Sequence, residues 1–284
     1  MRIGLSTPMV MQLPGVSSEW ENNAGVADLA HIAHTADELG FDHLTCAEHI
    51  AVPVDEGAQR GLTYWDPLST FGFLAAHTSR ISLTTSVIVL GYHHPLEIAK
   101  RFGTLDRLSE GRLVLGVGVG SLAEEFDLLG ATFDGRGERA DDAIRALRAS
   151  LSTTRPAYQG SHYQFGGFAV QPCAVQPRVP IWVGGRTLRS LRRAVRLADG
   201  WIPFGLNTAE IEAMLSAVDA PPGFDIVLST GHAVDPVAEP TRTTKRLRAL
   251  HDAGATAITA SVTADSPAHY CDQLAALREL ADEL

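Results

Sequence analysis

At 284 residues, with a formal net charge of −10 and an apolar share of 45%, the chain is long for one common domain but suits a single α/β barrel of about 250 residues with insertions. No apolar run approaches the roughly 20 residues that cross a bilayer, and the acidic balance argues against a surface built to neutralise nucleic-acid phosphates. Met1-Arg2 leads into a strand without the basic and long apolar segments of a secretory signal, and Cys46, Cys173 and Cys271 are odd in number and far apart; both features predict a cytoplasmic protein with free thiols.

Apolar and β-branched runs alternate with 3.6-periodic stretches along the whole chain. Strands are predicted near Ile3–Ser6, His43–Ala47, Ile81–Leu90, Leu113–Gly118, Ile181–Gly184, Trp201–Phe204, Ile226–Thr230 and Ala257–Val262. These eight repeats, with helical patterns between them, predict a closed (β/α)8 TIM barrel filling residues 1–284 as one domain. Asp66-Pro67 and Ser266-Pro267 each read as an N-cap followed by a first helical proline. Two segments break the rhythm. Ile50–Trp65 forms a long loop after the second strand, on the face where barrels place their active sites, and reads either as a lid or as a solvated loop. Residues 157–180, around YQGSHYQFGGFAVQP, read as a hairpin inserted between the fourth helix and the fifth strand, either covering a substrate or lying in solvent.

Candidate chemistry sits where strands end. Gly116-Val117-Gly118-Val119-Gly120-Ser121 follows the fourth strand, and Gly184-Gly185-Arg186-Thr187 closes the fifth, each running into a helical pattern. Glycine lets an anionic group approach the main chain, and a helix start favours negative charge, so the second turn is the stronger phosphate candidate, with Arg186 adding a charge-assisted bond. The plainer reading is a tight strand-to-helix turn. Gly118 to Ala123 also fits a relaxed dinucleotide fingerprint, but the next stretch, ERADDAIRALRASL, is helical where a second strand should come, which sets a Rossmann domain below the barrel. Glu48-His49 puts a titratable imidazole at the presumed catalytic mouth. His93-His94, before Pro95, reads mainly as turn residues. His31 and His34 share a helix face with no metal-ligand set nearby, so no metal is expected. In GGRTLRSLRRAVRLADGW, Arg186, Arg189 and Arg193 lie near one side of a helix, but the apolar stripe through Leu188, Leu191 and Val195 sends most of the arginines to solvent, leaving Arg186 as the site candidate.

The segments FDHLTCAEHIAVP, WDPLSTFGFLAAHTSRISLTTSVIVLGYHHPLEIAKRFGTLDRLSEGRLVLGVGVGSLAEEFDLLG and PIWVGGRTLRSLRRAVRLADGWIPF, in that order, resemble the luciferase-like monooxygenase superfamily over nearly the whole chain, and within it the branch using the deazaflavin coenzyme F420. The resemblance implies a (β/α) barrel with an insertion after the fourth helix, and a homodimer in many members. It implies a non-prolyl cis peptide at Ser86-Val87 behind the cofactor ring. Phosphate and side-chain contacts would fall on Val119, Gly120 and Glu124, and on Gly184, Gly185, Arg186 and the adjacent Thr187. Glu48 and His49 match the family's acidic-histidine pair, which makes His49 the first candidate catalytic residue. Ser121 and Pro53 stand where deazaflavin glucose-6-phosphate dehydrogenases have glutamate and tryptophan, which argues against sugar-phosphate oxidation.

The function implied is hydride transfer between F420 and a small organic substrate, with His49 as acid, base or polarising group. The alternatives are an FMN-dependent monooxygenase using O2, in which the pocket shields a peroxyflavin, a non-catalytic cofactor-binding protein, and a barrel enzyme that handles phosphorylated metabolites without a redox cofactor. Neither nucleic acid nor membrane is expected as a partner.

Overall fold

The computed structural model describes residues 1–284. Eight parallel strands, β1 (Arg2–Ser6), β2 (His43–Cys46), β3 (Ser82–Thr85), β4 (Leu113–Gly118), β5 (Ile181–Gly184), β6 (Gly200–Ile202), β7 (Asp225–Ser229) and β8 (Ala257–Ala260), pair in chain order. β8 returns to β1 with Ile3 opposite Ile258, and β4 meets β5 with Val117 opposite Val183, so the sheet closes on itself. Closure leaves no open edge, and each crossover carries a helix on the outside: α1 (Val26–Glu38), α2 (Pro67–Ala75), α3 (Pro95–Leu108), α4 (Arg136–Arg148), α5 (Leu188–Leu197), α6 (Thr208–Leu215), α7 (Pro240–Asp252) and α8 (Pro267–Asp282). The predicted TIM barrel is therefore the fold.

Side-chain alternation along the strands separates two cores. Outward residues such as Ile3, Leu5, Leu44, Leu83, Leu115 and Ile258 join the helices in the main apolar cluster. Inward residues Val114, Trp182, Ile202, Val227 and Ala257 fill the barrel itself, with His43 packed edge-on against Trp182 at 5.6 Å. Gly4 is required there, because a Cβ on it would lie 2.4 Å from the His43 ring. A fully buried side chain of this kind stabilises the fold by about 1.5–3 kcal/mol.

Local signals set the helix starts as predicted. Asp66 accepts a hydrogen bond from Ser69 N–H at 2.7 Å with Pro67 first in α2, and Ser266 caps α8 ahead of Pro267. The third strand departs from prediction. It ends at Thr85, the Ser86-Val87 peptide is cis, and only Ile88–Val89 rejoins β4. Glu48 holds this break from both sides: its N–H donates to Val87 O at 3.3 Å and its Oε2 accepts from Val89 N–H at 2.7 Å. The sixth strand stops before Pro203, which has no N–H for a ladder.

In the insertion, Tyr158–Gln159 pairs antiparallel with Gln164–Phe165. The buried Asp142 of α4 fixes it by accepting from the Tyr158 hydroxyl (2.5 Å) and the N–H groups of His162 (2.7 Å) and Tyr163 (3.0 Å). Tyr163 packs on His94 at the start of α3. The insertion thus lies along the barrel flank. It does not line the large cavity described below, which favours the solvated-loop reading of this segment over substrate cover.

Candidate active site

The C-terminal ends of the strands surround a cavity of about 1210 Å³. The loop after β2 forms one wall, held there because Thr63–Tyr64 pairs with Met11–Gln12 and Trp65 N–H donates to Val10 O at 2.8 Å.

Glu48 and His49 both face the cavity but turn to different partners. His49 Nδ1 lies 2.7 Å from Glu125 Oε2, and Tyr64 packs edge-on against the imidazole at 4.6 Å. Glu125 is fully buried and also accepts from the Tyr92 hydroxyl (2.8 Å) and from the N–H groups of Ile50 (2.6 Å) and Ala51 (3.1 Å). Burial pushes this carboxyl upward, but the hydrogen bonds from His49, Tyr92 and Ala51, with the charge of His49, outweigh it and hold Glu125 below its ordinary value. An ionised carboxylate only accepts, so neutral His49 carries its proton on Nδ1 and offers the Nε2 lone pair to the cavity. Burial and the adjacent Glu125 keep the Tyr92 phenol protonated.

On the other side, Glu48 Oε1 lies 2.8 Å from His93 Nε2. Burial lowers the His93 value, yet the bond to Glu48 and the charges of Glu48 and Glu97 prevail and raise it.

The turns after β4 and β5 form the opposite end. Thr187 caps α5 by accepting from Ser190 N–H at 3.2 Å, while the Ser190 hydroxyl donates to Thr187 O at 2.7 Å. The remaining N–H groups of that first turn, those of Leu188 and Arg189, have no intrahelical partner and suit an anion. Arg186 and Arg189 face the cavity without an acidic partner. Arg193 is buried, ion-paired with Asp141, and donates to Gly137 O at 3.0 Å. Arg136 donates to Gly120 O at 3.1 Å and stacks over Phe133 at 3.7 Å. Gly120 has φ +78, and a Cβ there would sit 2.5 Å from Phe126. Val87 projects over two more glycines, since a Cβ on Gly118 or Gly184 would lie 2.6 or 2.9 Å from its methyl groups.

Of the residues marked from sequence, Glu48, His49, Ser86, Val87, Val119, Gly120, Gly184, Gly185, Arg186 and Thr187 all line this one cavity. Glu124 does not. It is exposed on the short helix Ala123–Leu128, and the next residue, about 100° round, is the buried Glu125 that holds His49. The solvent assignment of the arginines also fails in part: Arg189 and Arg193 line the cavity because α5 begins on its rim. His93, read as a turn residue, bonds to Glu48, whereas His94 does serve the turn by capping α3. No cluster of three or more His, Cys, Asp or Glu side chains is placed to hold a metal ion, and no helix is long and apolar enough to cross a membrane.

Residues 1–258 match the family model of the luciferase-like monooxygenases. The chain belongs to that family. This luciferase-like protein is 32% identical over 211 residues to an uncharacterized protein of Mycobacterium tuberculosis, covering 69% of this chain and 75% of that one. It is 30% identical over 201 residues to an F420-dependent glucose-6-phosphate dehydrogenase of Microbacterium testaceum, covering 69% of this chain and 58% of that enzyme. Among solved structures, monooxygenase RslO1 from Streptomyces bottropensis superposes with a TM-score of 0.76 at 22% identity, over 100% of this chain and 99% of that one. The coenzyme F420 dependent tetrahydromethanopterin reductase of Methanopyrus kandleri gives 0.72 at 15% identity over 98% of each. These structures share the barrel, and the luciferase-like family membership makes the protein an oxidoreductase.

Proposed function

We propose that this luciferase-like oxidoreductase uses coenzyme F420 and transfers hydride between the deazaflavin and a small organic substrate. The observation that carries the choice is the charge of the cavity end after β4 and β5. Arg136, Arg186 and Arg189 gather there against one acid, Glu138, with Arg193 neutralised by Asp141, and Arg186 and Arg189 have no acidic partner. The phosphate monoester of FMN carries at most two negative charges, whereas F420 carries a phosphodiester and a tail of carboxylates, which suits a longer cationic wall. The likeness to F420-dependent dehydrogenases supports the same choice.

The residues fit such a group. Gly184 to Thr187 and the first turn of α5 would hold the phosphate, Arg186 and Arg189 the carboxylates, and Val87 with Gly118 would back the ring. The deazaflavin, when bound, supplies two-electron hydride exchange. Everything else falls to the protein. His49 Nε2 takes the proton of a substrate hydroxyl, or returns it to a carbonyl oxygen, while Glu125 keeps the ring oriented by accepting from Nδ1. Tyr64 and the loop after β2 limit water on that side.

The test is a fluorescence titration of the purified protein with F420 and with FMN, oxidised and, under anaerobic conditions, reduced. F420 is expected to bind at least tenfold more tightly. A preference for reduced FMN overturns the proposal in favour of an oxygen-using monooxygenase, and binding of neither removes the cofactor assignment.

A further inference from the structure

The two imidazole–carboxylate pairs at the cavity mouth differ in where they lead. Glu125, beyond His49, is a closed end: its side chain has no exposure and four donors occupy its oxygens. The one hydroxyl among them, that of Tyr92, keeps its proton. Glu48 leads outward instead. Glu48 lines the cavity with 5% of its side chain exposed, and its carboxylate accepts from Val89 N–H and from His93, which is 12% exposed. The far nitrogen of His93, Nδ1, lies 3.8 Å from Glu97 Oε1 on the first turn of α3, where Glu97 is 48% exposed and paired with Arg101 at 2.9 Å. That gap is longer than a hydrogen bond and is within reach of a small ring movement or one bridging water.

From this connection we infer that His93 is a proton relay between the cavity and solvent, carrying the proton that accompanies each hydride along Glu48, His93 and Glu97. The inference rests on the redox reading above. When a substrate hydroxyl is oxidised, its C–H bond breaks, the hydride goes to the deazaflavin, and the O–H proton must leave a cavity closed by cofactor, substrate and the loop after β2. In carbonyl reduction Nδ1 takes a proton from Glu97 or water as the Nε2 proton, held toward Glu48 at rest, passes to that carboxylate and on through cavity water to His49. Alcohol oxidation starts from the Nδ1–H form and runs the same steps in reverse, the ring resetting between turnovers by exchange with solvent. A purely structural partner for Glu48 needs one donor, which an amide supplies equally well, and only imidazole offers a second nitrogen on the solvent side. The groups around His93 suit the role: Glu48 and Glu97 raise its proton affinity against burial and the charge of Arg101, and Tyr92, packed edge-on at 6.5 Å, stays neutral.

The experiment has two readouts. In the protein without cofactor, the imidazole signals of His93, assigned by their loss in His93→Gln, are followed by NMR against pH in wild type and in Glu97→Gln. Titration in the neutral range is expected, with the midpoint falling by about half a unit once Glu97 is neutral. With reduced F420 and acetone or cyclohexanone as probe acceptors, His93→Gln is expected to lose at least tenfold in kcat, to keep the wild-type Kd for F420 within threefold, and to recover partly with added imidazole. A His93 ring that holds one protonation state from pH 5.5 to 8.5 overturns the relay. Turnover of His93→Gln within threefold of wild type does so too, as does a parallel loss of F420 affinity and turnover without rescue. The NMR readout needs no cofactor, so failure of wild type to bind F420 alongside a responsive His93 refutes the F420 reading while leaving the link from Glu48 to solvent standing.

Discussion

Glu125→Gln perturbs the site at its most connected atom. The carboxylate takes donors from His49 (2.7 Å), Tyr92 (2.8 Å), Ile50 (2.6 Å) and Ala51 (3.1 Å). A carboxamide of the same shape keeps one oxygen, and with that oxygen on the two backbone groups its NH2 faces the imidazole and the phenol. His49 then accommodates it by moving the proton from Nδ1 to Nε2. Hydrogen bonds to a charged group contribute about 1.5–3 kcal/mol, so exchanging two of them for weaker neutral contacts costs about 2–3 kcal/mol. For a chain of this size that lowers Tm by roughly 4–10 °C. Nε2 also becomes a donor without a lone pair, removing a base of the kind that contributes about 10²–10⁴-fold to rate. Because Glu125 is held below its ordinary value of 4.5, its stabilisation is complete above that value and is lost as pH falls through the lowered native one. Thermal melts of both proteins from about pH 2 to 8 should therefore differ fully above about pH 5 and converge only as pH falls through the lowered native value. A difference under 1 kcal/mol at neutral pH, or one that widens in acid, refutes the reasoning.

His49→Asn should lower turnover by about two orders of magnitude while leaving the F420 Kd within threefold; unchanged turnover removes His49 from the chemistry. Arg189→Ala and Arg186→Ala should each weaken F420 binding about fivefold and flatten its salt dependence, read by titration at two ionic strengths. Gly116→Ala brings a Cβ to 1.7 Å from Thr85 O, a backbone contact that cannot yield, and should cost more than about 3 kcal/mol by denaturant unfolding. Asp142→Asn should loosen the flank ribbon and lower Tm, yet leave F420 affinity unchanged, since the ribbon does not line the cavity.

The barrel was legible because its signals are local: periodicity, capped helix starts, and glycines at strand ends. The break after Thr85 was not legible from periodicity, since ISLTTSVIVL reads as one strand and the contacts that interrupt it come from Glu48, about 40 positions earlier. It entered the reading only through family resemblance. The site was found to the correct loops but not always to the correct residue. Two adjacent acids follow the fourth-strand turn, and which of them faces inward depends on the phase of a six-residue helix whose start no cap announces. His93 carried no sequence signal, because its partner is distant in the chain. Most arginines of this run are solvent-exposed as expected, but the apolar stripe identifies the core face of a helix and not how far its first turn leans over the barrel mouth, which brings Arg189 and Arg193 to the cavity.

The contact of Val87 with Gly118 and Gly184 has an evolutionary consequence. Three residues from three different strand ends share one small volume, so none can grow unless another shrinks. Among relatives these positions should change as a set, and a natural sequence with alanine at either glycine should carry a smaller side chain in place of the valine.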